Sequence, residues 1–216
     1  SYNLIKQVGN YKEIYERNEI SSGRIKSIID DFSSLRVCVV GDLIVDEYIT
    51  CEPLGMSQED PTIVVTPVDT TRFIGGAGIV AAHAVGLGAK VELITVVGND
   101  SSHTFAENKL SEFGVTTSLI VDDSRPTTVK QRFRSKGKTL LRVSHLHQST
   151  ISPSLQSIFL KNVRSIIDKV DLLVFSDLST ILTPSVSLSS IILCANERCF
   201  FKSFQTENPC GILEQI

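Results

Sequence analysis

The chain has 216 residues with 24 acidic and 21 basic side chains, a net charge of −3, and 42% of it is hydrophobic against 21% charged. This composition excludes a disordered chain, and the lack of a basic surplus argues against nucleic acid as a partner. No run approaches the roughly 18 apolar residues that span a bilayer, and the polar start SYNLIKQVGNYKEIYERNEI has no apolar stretch of the signal-peptide kind.

Residues 1–21 read as an N-terminal arm and 22–216 as one α/β domain. Ser22 precedes Ile25, Ile28, Ile29 and Phe32, the spacing of an amphipathic helix behind a Ser cap. Residues 36–42 form a continuous apolar run ending in Gly41-Asp42, the pattern of a strand covered on both faces. Residues 49–74 read as short strands joined by hairpins. The segment from Gly75 to Gly88 is a glycine turn that opens a helix of small residues. Residues 90–97 predict a buried strand ending in Gly98-Asn99-Asp100, and 101–113 a helix closed by Gly114. Residues 118–145 return to β pattern, with Lys136-Gly137 as a hairpin turn. Ser152-Pro153 starts a further helix, and 171–175 is a third buried strand leading to Ser176-Asp177. A helix over 187–196 and a short strand over 198–202 complete the pass.

This alternation predicts a doubly wound α/β layer with helices on both faces and a small β lid built from two inserts, about 49–74 and 118–145. Ligands in such sheets sit beyond the carboxyl ends of the strands. Asp42, Asp46, Asn99, Asp100, Ser176 and Asp177 all fall there. Asp and Asn also favour turns and helix caps at these places, so both readings stand at this point.

Gly76-Ala-Gly78-Ile-Val-Ala81 fits the glycine spacing of a dinucleotide fingerprint. The apolar stretch before it is only three residues long, and Thr95 stands where the acidic ribose ligand is expected. The other reading is a sugar pocket, in which Asp46 and the amides beside Gly75 and Gly76 grip hydroxyls. The cysteines are Cys38, Cys51, Cys194, Cys199 and Cys210, with no CxxC pair, as in a reduced, cytoplasmic protein. His145 and His147 are too few for a metal site, and none is expected.

The stretches VVGDLIVDEY (39–48), SQEDPTIVV (57–65), FIGGAGIVAAHAVGLGAKVELITVVGND (73–100), SRPTTVKQRFRSKGKTLLRV (124–143) and DLLVFSDL (171–178) occur in one order. In that order they resemble the PfkB/ribokinase family of carbohydrate kinases, in particular the heptose-phosphate kinase domain of bifunctional heptose kinase/ADP-heptose synthase proteins. The resemblance implies a Rossmann-like body, a β lid that pairs two copies, and transfer of the γ-phosphate of ATP to a sugar hydroxyl with Mg2+. Asp46 matches the sugar-binding Asp, Gly75 and Gly76 the sugar-side glycines, and Asp177 a residue at the cleft edge. Lys130, Arg132 and Arg142 fall in the lid segment that lies near a phosphorylated sugar in this subgroup, and positive charge there suits a sugar phosphate. The same three residues also fit a solvated hairpin face.

Two departures stand beside the likeness. Ile79 and Val80 occupy the positions where the family's first motif carries an Asn. The family's Gly-x-Gly-Asp segment, with its catalytic base and anion hole, has no counterpart. The only Gly-Asp pair is Gly41-Asp42, and Gly211 is the one glycine beyond Gly137. The resemblance therefore implies that the chain stops inside the fold and is inactive alone. The alternative expectation is a degenerate module that binds sugar or a second copy without catalysis.

Overall fold

The computed structural model describes residues 20–147 and 149–176. The predicted helix at 187–196, the strand at 198–202 and Asp177 lie outside the described residues.

Helix α1 (Ser22–Asp31) is capped by Ser21, whose hydroxyl accepts the Arg24 N–H at 3.1 Å. The cap is one residue earlier than the sequence suggests. Its stripe of Ile25, Ile28 and Ile29 is exposed. Strand β1 (Arg36–Gly41) follows and is buried from Val37 onward. Its odd and even residues enter different cores, as expected of a strand covered on both faces. Val37 and Val39 pack with Ala77, Ala81, Ala106 and Leu110, while Cys38 and Val40 pack with Phe159, Val163 and Ile167.

The chain then leaves this sheet after a single residue. Strand β2 (Leu43–Met56) and β3 (Ile63–Gly76) form a long antiparallel ribbon, followed by α2 (Ala77–Gly86) and β4 (Lys90–Val97). Helix α3 (Ser101–Glu112), β5 (Thr116–Val121), β6 (Thr128–Ser135), β7 (Lys138–His145), α4 (Pro153–Ile167) and β8 (Leu172–Ser176) complete the described elements. The body is a parallel sheet of order β5-β4-β1-β8, with α2 and α3 on one face and α4 on the other. The lid is a separate sheet of order β3-β2-β6-β7.

Two expectations need correction. The first lid insert begins at Leu43 rather than about residue 49, and consists of two strands of 14 residues rather than several short ones. Pro53 and Pro67 do not break them. Pairing of β2 with β6 ends at Thr50, so Pro53 has no neighbour on that side, and Pro67 lies on the edge strand β3. The second insert does not begin at 118. Residues 116–121 pair in parallel with β4 and belong to the body, so the lid receives only β6 and β7 from this region. The Lys136-Gly137 turn forms as read, both residues with positive φ, 46° and 79°.

The glycine segment cannot be a dinucleotide fingerprint. The strand before it, β3, is an antiparallel lid strand and not the first strand of a βαβ unit. The Thr95 hydroxyl instead accepts the Leu43 N–H at 3.2 Å and pins the crossing from β1 to β2. A second rivet joins lid to body. Buried Glu47 accepts from Arg72 at 2.7 Å and from Gln131 at 2.8 Å, and the Arg72 guanidinium lies 5.8 Å from the Phe105 ring centroid on α3.

Burial, with Glu92 adding to it, pushes the Cys38 thiol up to about 12. The thiolate is the reactive form. Peptide mapping after brief iodoacetamide treatment is therefore expected to find Cys38 unmodified in the folded chain and modified in urea. Modification in the folded state refutes that placement.

Candidate functional site

The site is one face of the lid, set by strand parity. Along β2 the odd residues Val45, Glu47, Ile49 and Cys51 are buried, and the even residues Ile44, Asp46 and Tyr48 are half-buried on the opposite face. Successive side chains of a strand alternate sides, and residues in register share one. Asp46 is in register with Lys130 and with Phe73, Tyr48 with Arg132, and Arg132 in turn with Arg142. Lys130, Arg132 and Arg142 therefore stand on the face of Asp46, although up to 96 positions separate them in the chain.

Gly75 belongs to the same face for a different reason. A Cβ built there would overlap the Asp46 carboxylate, so the bare glycine makes room for that group. Gly76 has a different part. Its φ of 56° and ψ of −137° turn the chain from β3 into α2, with the Ala77 N–H donating to the Asp42 carbonyl at 2.9 Å. The structure thus brings together Asp46, Gly75, Lys130, Arg132 and Arg142. Gly76 shapes the turn beneath them.

Within the face, Arg132 donates from Nη1 to Asp46 Oδ1 in a half-buried ion pair. The hydrogen bond to that carboxylate raises the Arg132 pKa above its ordinary value against the opposing effect of burial. The Tyr48 ring supports this guanidinium at 5.1 Å and that of Arg134 at 5.5 Å. Phe73 meets Tyr48 edge to face at 5.5 Å. Sequence reasoning missed Tyr48 and Arg134. The signal for Arg134 was present, because Lys130, Arg132 and Arg134 alternate along one strand. The Arg134 Nε is buried without a hydrogen-bond partner among the described residues.

Four cations thus share the face of one carboxylate, and Arg132 is the one that touches it. Like charges in register across two strands are unfavourable, as Arg132 and Arg142 are here. Neither Lys130 nor Arg142 has an ion-pair partner among the described residues. The face thus carries a surplus of positive charge beside a single carboxylate.

The polar residues at the strand ends of the body have other duties. Asp100 caps α3, its Oδ1 accepting from the Ser102 and His103 N–H groups at 3.0 and 2.9 Å. Asn99 donates to Asp123 at 3.1 Å, and the Asp42 N–H donates to the Ser176 carbonyl at 3.3 Å. For Asp100 the cap reading holds. An open cleft lined by Asp42, Val96, Arg125, Thr128 and His147 lies beyond the carboxyl ends of β1 and β4.

The sequence model of pfkB family carbohydrate kinases matches residues 34–208. The chain belongs to this family. The bifunctional protein HldE of Desulfatibacillum aliphaticivorans is 37% identical to this pfkB-family chain over 147 residues, 68% of this chain and 30% of that protein. The D-beta-D-heptose 7-phosphate kinase of Bordetella bronchiseptica is 42% identical over 108 residues, 50% of this chain and 34% of that one. The chain spans about a third of the length of these curated relatives. Among solved structures, a carbohydrate kinase from Agrobacterium tumefaciens has a TM-score of 0.59 at 17% identity, covering 78% of this chain and 53% of that one. Ribokinase from Giardia lamblia has a TM-score of 0.57 at 14% identity, covering 78% and 54%. These two likenesses establish the ribokinase-type fold.

Proposed function

We propose that this pfkB-family chain forms the sugar side of an ATP-dependent kinase whose acceptor is a phosphorylated sugar of the heptose class. The observation that carries the reading is the single lid face on which Asp46, seated over Gly75, stands among Lys130, Arg132 and Arg142. Asp46 accepts hydrogen bonds from sugar hydroxyls and so fixes the ring. The cations hold the phosphate already on the sugar, since guanidinium and ammonium groups bind phosphate by charge-assisted hydrogen bonds. Asp177, as the cleft-edge residue, remains part of the proposal.

ATP supplies the transferred phosphoryl group in this reading, and Mg2+ neutralises its charge. Among the described residues no group of three or more His, Cys, Asp or Glu is placed to hold a metal ion, so the proposal assigns the ion to none of them. The sequence holds no Gly-x-Gly-Asp segment. Phosphoryl transfer depends on positioning and electrostatic stabilisation, which that segment provides in the family. The 216 residues alone therefore bind sugar phosphate without turning over ATP. A second reading, a sugar-binding or pairing module without catalysis, draws on the exposed apolar residues of the lid.

Leu54, Met56, Ile63 and Val68 on the β2–β3 ribbon are at least half exposed, which supports pairing of two copies through the lid. The free, buried Cys38 and Cys51 suit a reducing cytoplasm.

Isothermal titration calorimetry tests the reading. Heptose 7-phosphate is expected to bind more tightly than the same heptose without phosphate. The double substitution Lys130→Ala/Arg142→Ala is expected to weaken heptose 7-phosphate about 10- to 100-fold, as for loss of one or two charged hydrogen bonds, and to spare the plain heptose. Equal binding of the two sugars by the unmodified chain defeats the proposal.

A further inference from the structure

Asp46 and Arg132 are both assigned to the ligand, yet each occupies the other in an ion pair. We propose that this ion pair is a charge-exchange gate: Arg132 masks Asp46 until a ligand brings its own anion, so Arg132 determines specificity for phosphorylated over plain sugars. The inference rests on the sugar-phosphate reading above and adds how the same face rejects the wrong sugar.

The geometry leaves Asp46 few alternatives. One carboxylate oxygen is held by Arg132, and the other sits over Gly75. The Asp46 and Arg132 side chains are only 21% and 24% exposed, so water poorly replaces a lost partner. Glu47 cannot relieve Arg132, because it lies on the opposite face and is engaged by Arg72 and Gln131.

Arg132 is equally confined. It lies on the Tyr48 ring beside Arg134, and its register partner in β7 is Arg142. Removing Asp46 leaves these guanidinium groups with no counter-charge between them. A neutral polyol that takes the Asp46 carboxylate creates that state. A sugar phosphate does not, because its phosphate replaces the carboxylate on Arg132 while its hydroxyls replace Arg132 on Asp46. The exchange is nearly even in charge and hydrogen bonds for the phosphorylated ligand and strongly uneven for the plain one.

An arginine that merely binds phosphate and an arginine that also masks Asp46 differ in one respect. Loss of the first leaves plain heptose unaffected, whereas loss of the second improves it. Titration calorimetry on Arg132→Gln is therefore expected to show plain heptose binding about tenfold tighter and heptose 7-phosphate about tenfold weaker, one charge-assisted hydrogen bond each way. Asp46→Asn is expected to bind inorganic phosphate about tenfold tighter, since Arg132 is then released. Both gains together support the gate, and the absence of either overturns it.

Should a variant fail to fold, the unmodified chain still decides. Inorganic phosphate is expected to shift the Asp46 side-chain carboxyl 13C resonance on binding, because Arg132 turns to the phosphate. Bound phosphate with a stationary Asp46 signal overturns the gate. If the unmodified chain prefers heptose 7-phosphate but Arg132→Gln gains nothing for plain heptose, the gate falls and the sugar-phosphate reading survives. If the unmodified chain shows no preference, both fall.

Discussion

Gly76→Ala is expected to lower stability by about 3–5 kcal/mol, combining backbone strain with overpacking. Gly76 has φ 56° and ψ −137°, the mirror image of an extended conformation, which glycine alone adopts freely. A Cβ there would also overlap the carbonyl oxygen of Asp42. That carbonyl cannot move aside, because it accepts the Ala77 N–H while the Asp42 N–H is held by Ser176. Both ends of the clash are backbone, so no side-chain rotation relieves it. A chain of this size loses roughly 2–4 °C of Tm per kcal/mol, so thermal unfolding is expected to move down on the order of 10 °C. Gly137→Ala is the control, since Gly137 also has positive φ, 79°, but nothing lies within 4 Å of an added Cβ. It is expected to cost about 1 kcal/mol. Equal losses for the two would show that strain alone matters and that the β3–α2 turn is not tightly packed. The consequence for function is direct, because this turn holds Gly75 beneath the Asp46 carboxylate.

The body was legible in the sequence and the lid only in part. Residues 37–41 are a continuous apolar run and 90–97 are apolar except for Lys90, Glu92 and Thr95, the pattern of strands covered on both faces. Residues 43–56 deceive because β2 starts one residue after β1 and carries Glu47 at a buried position. Glu47 is tolerated there because Arg72 and Gln131, 25 and 84 positions away, satisfy it. No local window contains that information. The sequence TTSLIV at 116–121 suits either sheet equally, and only its pairing with β4 decides. The candidate site shows the same division. Asp46, Gly75, Lys130, Arg132 and Arg142 were identified from motif resemblance, but their common face depends on register between strands distant in sequence. Asp100 was placed at a strand end correctly, and its chemistry there is structural.

That structural role makes Asp100→Ala the second large effect, an expected loss of about 2–4 kcal/mol. One oxygen caps two N–H groups of α3, and the other accepts the buried Thr127 N–H at 2.7 Å. Thr127 opens the path into β6, and its hydroxyl accepts the Gly98 N–H at 3.0 Å, so the substitution loosens helix and lid together. Asp100→Asn keeps one acceptor oxygen and is expected to lose about half as much. The pH dependence separates charge from shape. Burial alone would raise the Asp100 pKa, but the N–H groups of His103, Thr127 and Ser102 and the Thr127 hydroxyl outweigh it and hold it below the ordinary carboxylate value. Asp122, bonded to Ser124 and Arg125 in the adjoining loop, is lowered in the same way against its burial. A carboxylate lowered on folding stabilises fully above its unfolded pKa, about 3.9, and loses that contribution as pH falls through the folded value. Urea unfolding is therefore expected to show the gap between the unmodified chain and Asp100→Asn wide at pH 7 and narrowing steadily below about pH 4. A gap that stays constant into acid would assign the loss to shape and leave the anionic charge of Asp100 without a part in joining lid to body.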